Sequence, residues 1–116
     1  MTTRGIRGAI TVSKNDRDEI LSATKELLLK IRADNFLDLP DIAAVIFTVT
    51  QDLDAEFPAV AARELGWNDT PLLCNLEIAV PGSLARCIRV LLLVDSDKPQ
   101  KDIKHIYLRE AVNLRR

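Results

Sequence analysis

Cys87-Ile88-Arg89-Val90-Leu91-Leu92-Leu93-Val94 is the stretch that decides the fold. A run of aliphatic, partly β-branched side chains with no polar alternation reads as a strand covered on both faces. Arg89 interrupts it with a guanidinium, and desolvating a charge in such a setting is costly unless an anion meets it. Two readings stay open at this point. Arg89 is either half of an internal ion pair or the receptor for a negatively charged ligand.

Working outward, Pro81-Gly82-Ser83 is a turn leading into this strand, and Asp95-Ser96-Asp97-Lys98-Pro99 closes it. Ile42 to Thr50 is a second strand, apolar on both faces. Arg4 to Val12 alternates, with Ile6, Gly8, Ile10 and Val12 on one face and Arg7, Ala9 and Thr11 on the other. Between those two strands, Asp16 and Glu19 have the spacing of a capping box. Ile20, Leu21, Leu27, Leu28 and Ile31 follow as a helical stripe, Lys30 and Arg32 suit the end of the helix dipole, and Asn35 is its stop. Strand, helix, strand predicts a crossover with parallel pairing. Phe57-Pro58 opens a short helix that runs through Leu65 and ends at Gly66. Thr70 to Cys74 reads as a short strand, a brief helical turn follows Pro99, and Ile106 to Leu114 reads as a last strand. The expected architecture is an α/β (α+β) domain over residues 1–116: a mixed sheet of about five strands with one long and one short helix. One long helix covers a single sheet face, so the other face is expected to meet a neighbouring subunit in a closed homo-oligomer, whose seams suit small-ligand sites.

Composition bounds the function. The 116 residues are 47% hydrophobic and 28% charged, ordinary for one globular domain. A formal net charge of -1, no Lys/Arg block and only 4% aromatic residues argue against a partner that is nucleic acid or an anionic membrane. Met1-Thr2-Thr3-Arg4-Gly5 lacks the apolar core of a secretory signal, and no segment has the length of a membrane span. Cys74 and Cys87 fit a reduced protein better than a disulfide scaffold, so the expected compartment is cytoplasmic.

Conventional catalytic groups are sparse. His105 is the sole histidine, read as structural, and with Cys74 and Cys87 it has no zinc-ligand spacing. Arg7 has the parity to share a face with Arg89, against the reading of a solvated strand arginine; Gly5 and Gly8 beside it permit close backbone approach. Glu77, among Leu76, Ile78, Ala79 and Val80, competes as a simple neutraliser of Arg89. Cys74 otherwise reads as a small buried hydrophobe, Tyr107 as a packing residue and Arg63 as a surface charge.

Taken together, four segments resemble a known family: Arg4-Gly-Ile-Arg7-Gly-Ala9; Asp52-Leu-Asp-Ala-Glu-Phe57-Pro-Ala59 continuing to Ala61-Ala-Arg63-Glu-Leu65; Cys87-Ile-Arg89-Val90; and His105-Ile-Tyr107-Leu108. In order and spacing they resemble the AroH-type chorismate mutases, the α/β class, over nearly the whole chain. The resemblance implies a homotrimer with a pseudo-barrel core and active sites at the subunit interfaces. It implies rearrangement of chorismate to prephenate in aromatic amino acid biosynthesis, a pericyclic step that needs no nucleophile, so no metal and no cofactor are expected. Arg89 would stabilise charge on the breaking ether oxygen, and a lysine would replace it poorly. Arg7 would bind a carboxylate with help from Tyr107, while Glu77 and Cys74 would contact the ring hydroxyl. Arg63 would guard the mouth, and Phe57 and Ala59 would line the apolar wall, with Leu72, Leu73 and Leu114 nearby. The alternatives at this point are a trimeric enamine/imine deaminase-like enzyme and a small-carboxylate-binding protein.

The chain departs from the resembled pattern in several places. Val60 stands where a lysine is common, Leu73 replaces a small polar residue, and one residue is missing near Leu65-Gly66-Trp67. Relatives often extend past the position of Arg116 into a closing tail, and Arg115 and Arg116 are expected to take part of its steering role.

Overall fold

The computed structural model describes residues 1–114, so Arg115 and Arg116 and the steering role expected of them lie outside the described residues. Five strands form one mixed sheet: β1 (Thr2–Thr11), β2 (Ile42–Val49), β3 (Leu72–Leu76), β4 (Cys87–Ser96) and β5 (Ile106–Leu108), in the order β3-β2-β4-β1-β5. Helix α1 (Arg17–Asp34) joins β1 to β2, and the short helix α2 (Ala59–Glu64) precedes β3. The expected α+β class and element inventory match this architecture.

One expectation needs correcting. β1 and β2 do not pair with each other; each is antiparallel to β4, which lies between them. They are therefore parallel in direction but separated by the most apolar strand, whose two neighbours satisfy both of its backbone edges. The true parallel pairs are β1 with β5 and β2 with β3. The last strand is also shorter than its pattern suggested. It stops at Leu108, Arg109 turns at φ 55°, and Arg109–Leu114 winds into a 3-10 turn that packs Ala111 and Leu114 back onto the sheet.

Helix α1 forms for the reasons its sequence supplies, with one difference at the start. Asp16 caps it by accepting from the Glu19 N–H at 3.1 Å, but the Glu19 carboxylate reaches back to the Ser13 N–H and hydroxyl at 2.9 and 2.7 Å instead of closing a reciprocal box. At the far end the Asn35 amide donates to the carbonyls of Ile31 and Lys104 and accepts from the Lys104 N–H, so the helix stop also clasps the approach to β5. The predicted stripe is buried in full and meets Ile6, Ile10, Val45, Phe47, Ile88, Val90, Leu92 and Val94 in the main core. Burying so many aliphatic side chains, each worth roughly 1.5–3 kcal/mol, makes this face the source of most of the stability.

The second sheet face carries Arg7, Ala9, Ile46, Thr48, Arg89, Leu91 and Leu93, which share it by register. No helix of the chain lies across its centre, where Ile46, Leu91 and Leu93 are only half-buried. Arg89 is thus not desolvated within a single chain: its side chain is 46% exposed. The two-faced apolar pattern of β4 reflects a face that the chain leaves open.

Candidate active site

A row of paired residues crosses the open face: Tyr107 on β5, Ala9 on β1, Arg89 on β4, Thr48 on β2 and Asn75 on β3. Tyr107 and Arg89 flank Ala9, so their backbones stand roughly 10 Å apart, and Ala9 between them is buried in a cluster with Cys87 and Ala111. Arg7 is two residues along β1 and pairs with Leu91, on the same face. Two guanidinium groups and a phenol thus lie on one sheet face, a set of donors suited to carboxylates and a developing oxyanion. The expectation that Arg7 shares a face with Arg89 holds.

Glu77 joins this group from the end of β3, where its N–H donates to the Val49 carbonyl at 2.9 Å. Its Oε1 lies 3.8 Å from Arg89 Nη1, beyond hydrogen-bond reach, while Oε2 accepts from the Thr48 hydroxyl. Glu77 therefore approaches Arg89 without consuming it. The neighbouring Ile78 and Val80 are exposed, so the apolar run around Glu77 does not bury it. A cavity of about 220 Å³ adjoins Glu77, lined also by Thr50, Asp52, Ile78 and Leu84.

On the same face, at the end of the row near β5, Ala9, Cys87 and Ala111 form a small second core, with Leu84, Tyr107 and Leu114 packed on it. Tyr107 and Leu114 are anchored here. Burial pushes the Cys87 thiol above its ordinary value, opposed by the charge of Arg89 beside it.

The remaining expected residues fall elsewhere in the same chain. Cys74 pairs with Phe47 and Leu72 with Val45, which turns both toward the main core, away from Arg89. Burial raises the Cys74 thiol as well, opposed by a hydrogen bond from the Ala59 backbone and then by the charge of Arg63. Cys74 shares a groove of about 430 Å³ with Phe57, Val49, Leu53 and Leu76, and Phe57 is exposed on its rim. Arg63 and Leu72 line a neighbouring recess with Trp67. Ala59 is buried against the core, and Val60 beside it is half-buried. Leu73, of opposite parity to Cys74, is exposed on the Arg89 face. Within one chain the candidate residues therefore fall into two separate groups: Arg7, Glu77, Arg89, Tyr107 and Leu114 on the open face, and Phe57, Ala59, Arg63, Leu72 and Cys74 around α2.

Thr48 is the residue that sequence reasoning missed. A threonine at this position looks like ordinary strand composition, and only the cross-strand register puts it opposite Arg89. Among the described residues no cluster of His, Cys, Asp or Glu is arranged to hold a metal ion, and no helix is long and apolar enough to cross a membrane.

Residues 3–116 match the family model described as chorismate mutase type I. The chain belongs to this family. It is 55% identical over 113 residues to chorismate mutase AroH of Thermus thermophilus, covering 97% of this chain and 93% of that one. It is 47% identical over 116 residues to chorismate mutase AroH of Bacillus subtilis (strain 168), covering 99% and 91%. A solved structure of chorismate mutase from Clostridium thermocellum superposes with a TM-score of 0.93 at 55% identity, covering 94% of this chain and 97% of that one. The type I match runs from residue 3 onward, and the deaminase-like and carboxylate-binding alternatives find no support in these matches.

Proposed function

We propose that this chain is a chorismate mutase that rearranges chorismate to prephenate. In this reaction an ether C–O bond breaks while a C–C bond forms within one molecule, so atoms balance without water or any other reactant. The substrate must be held in a compact conformer in which its reacting ends meet. Arg7 and Tyr107 hold a carboxylate at one end of the row. Arg89 meets the ether oxygen, where negative charge grows as bond breaking runs ahead of bond making, and so favours the transition state over the substrate. Glu77 receives the ring hydroxyl. The observation that carries this reading is that Arg89 shares one open face with Arg7 and Tyr107 while its contact to Glu77 stays at 3.8 Å.

The complete site, in this proposal, forms where one subunit's open face meets the α2 region of the next. Phe57, Ala59, Arg63, Leu72 and Cys74 turn away from Arg89 within their own chain, so they complete a neighbour's site and not their own. A closed trimer satisfies this by head-to-tail contacts and covers Ile46, Leu73, Leu91 and Leu93 at the same time. Two free cysteines suit the reducing cytoplasm that we propose as its setting.

The test is direct. Purified protein mixed with chorismate should remove its diene ultraviolet absorbance far faster than the buffer control. An Arg89→Lys variant should lose roughly 3 kcal/mol of transition-state stabilisation, more than a hundredfold in kcat. No acceleration by the parent protein would defeat the assignment of activity; equal rates in parent and variant would defeat the role of Arg89.

A further inference from the structure

Thr48 and Arg89 stand directly opposite each other on β2 and β4, with side chains on the same face. Glu77 reaches this pair from the side, its backbone tied to the Val49 carbonyl at 2.9 Å. The two oxygens of its carboxylate have different partners: the Thr48 hydroxyl donates to Oε2, and Oε1 looks toward Arg89 Nη1 from 3.8 Å. A carboxylate this close to a guanidinium has a more stable arrangement within reach, the forked pair with two parallel N–H···O bonds. In that arrangement the protein's own anion would occupy the donors that the reaction needs. Reaching it requires the carboxylate to rotate and release the Thr48 hydroxyl.

We infer that Thr48 is a positioning residue that holds the Glu77 carboxylate off Arg89 and keeps the guanidinium available to the anion formed in the transition state. This rests on the chorismate mutase reading above. The hydroxyl takes one carboxylate oxygen, fixes the plane of the group and leaves the second oxygen at a distance that supports Arg89 electrostatically without bonding to it. The site thereby carries a like-for-like competition between a resident carboxylate and a transient oxyanion, and a neutral hydroxyl biases it toward the latter. Threonine also suits the place structurally, because its branched side chain favours a strand.

Thr48→Val removes the hydroxyl while keeping shape and strand preference, and Thr48→Ser keeps the hydroxyl. With parent turnover of chorismate established first, Thr48→Val should lower kcat about tenfold with a smaller change in KM, and Thr48→Ser should stay within about twofold of the parent. The defining measurement repeats Thr48→Val in a Glu77→Gln background, where an amide cannot form the ion pair. There its effect should shrink to less than about twofold. Thr48→Ala serves as a second hydroxyl deletion if the valine variant does not fold. Unchanged kcat on loss of the hydroxyl, an equal fall in Thr48→Ser, a change confined to KM, or an undiminished effect in the Glu77→Gln background would each overturn the proposal. None of these results touches the assignment of activity, which fails only if the parent protein leaves chorismate unchanged.

Discussion

Ile31 of α1 comes down onto Gly8 of β1 so closely that a β-carbon at Gly8 would stand 2.7 Å from the isoleucine Cδ1. Val90 and Leu27 close the same spot at 3.1 and 3.2 Å. Gly8 therefore lets the helix settle on the strand that carries Arg7, on the face opposite to it. The close approach expected from the glycines around Arg7 is real, but its occupant is the core of the protein.

Gly8→Ala should consequently destabilise the protein by about 1–2 kcal/mol, because three buried neighbours must give way together and the entropy removed from the unfolded chain offsets only part of that. Gly5→Ala is the control. A β-carbon there meets only Leu91 Cδ1 at an ordinary 3.6 Å, so its unfolding midpoint should stay near that of the parent. Chemical denaturation of both variants checks the contrast.

The contrast also shows what was legible before any coordinates. Alternation in β1 put Arg7 opposite Ile6 and Ile10, and that parity survives because β1 pairs with β4 without a register shift from Thr2 to Thr11. The stripe of α1 was legible for the same reason: it repeats over many residues with both ends capped. Pairing partners were not legible, since nothing local tells β1 and β2 that β4, far later in the chain, will insert between them. Ile106 to Leu114 looked like one strand, but the left-handed turn at Arg109 breaks it. The placement of the candidate residues was half legible. Arg7, Arg89 and Tyr107 sit on regular strands and follow parity, whereas Glu77 lies past the end of β3 and the face taken by Cys74 is set by its pairing with Phe47, which nothing local in the sequence specifies.

Arg7 and Arg89 should fail differently when truncated. Arg7→Ala removes a contact made in substrate and transition state alike, so KM should rise with kcat little changed, at a cost of about 1.5–3 kcal/mol in kcat/KM. Arg89→Ala should lower kcat itself. Full saturation curves on both variants separate the two roles, and a pure KM effect at Arg89 would contradict the electrostatic mechanism.

Stability should fall in acid for a reason visible on the surface. Glu19 is held below its ordinary value near 4.5 chiefly by the Ser13 hydroxyl, Glu56 by the Phe57 N–H and then Arg17, and Glu64 by Lys25. A carboxylate depressed in the folded state stabilises the fold above its unfolded value and loses that contribution as pH falls through its folded value. Denaturation midpoints should therefore be flat above about pH 5 and decline from there toward pH 3. Glu19→Gln should remove part of that slope without affecting the plateau of the curve beyond the loss of the Ser13 contact.

Both thiols should be slow to modify. Burial raises Cys74 and Cys87 alike, so each is protonated at neutral pH and a poor nucleophile. Cys87, sealed under Ala9 and Ala111, should react with a thiol reagent only on unfolding, while Cys74 at the groove should react in the native protein, and more slowly in the presence of a bound substrate analogue. Counting labelled sites by mass before and after adding denaturant checks this. Rapid native labelling of Cys87 would show that the second core opens readily.

The division of the candidate residues into two half-sites carries the most decisive prediction. Arg89 and Arg63 lie in different groups of one chain, so the proposed trimer would draw Arg89 of each active site from one subunit and Arg63 from the next. Arg89→Ala and Arg63→Glu subunits are each expected to be nearly inactive alone. After co-refolding equal amounts, a site is intact only where an Arg63→Glu subunit offers its sound open face to an Arg89→Ala subunit's sound α2 region. Random assembly makes this arrangement at about one quarter of the sites, so about a quarter of the parent activity should return. A site built within one chain would recover nothing, because every such site would keep one defect. The size of the recovery, read against mixtures of different ratios, follows the product of the two subunit fractions and peaks at equal amounts.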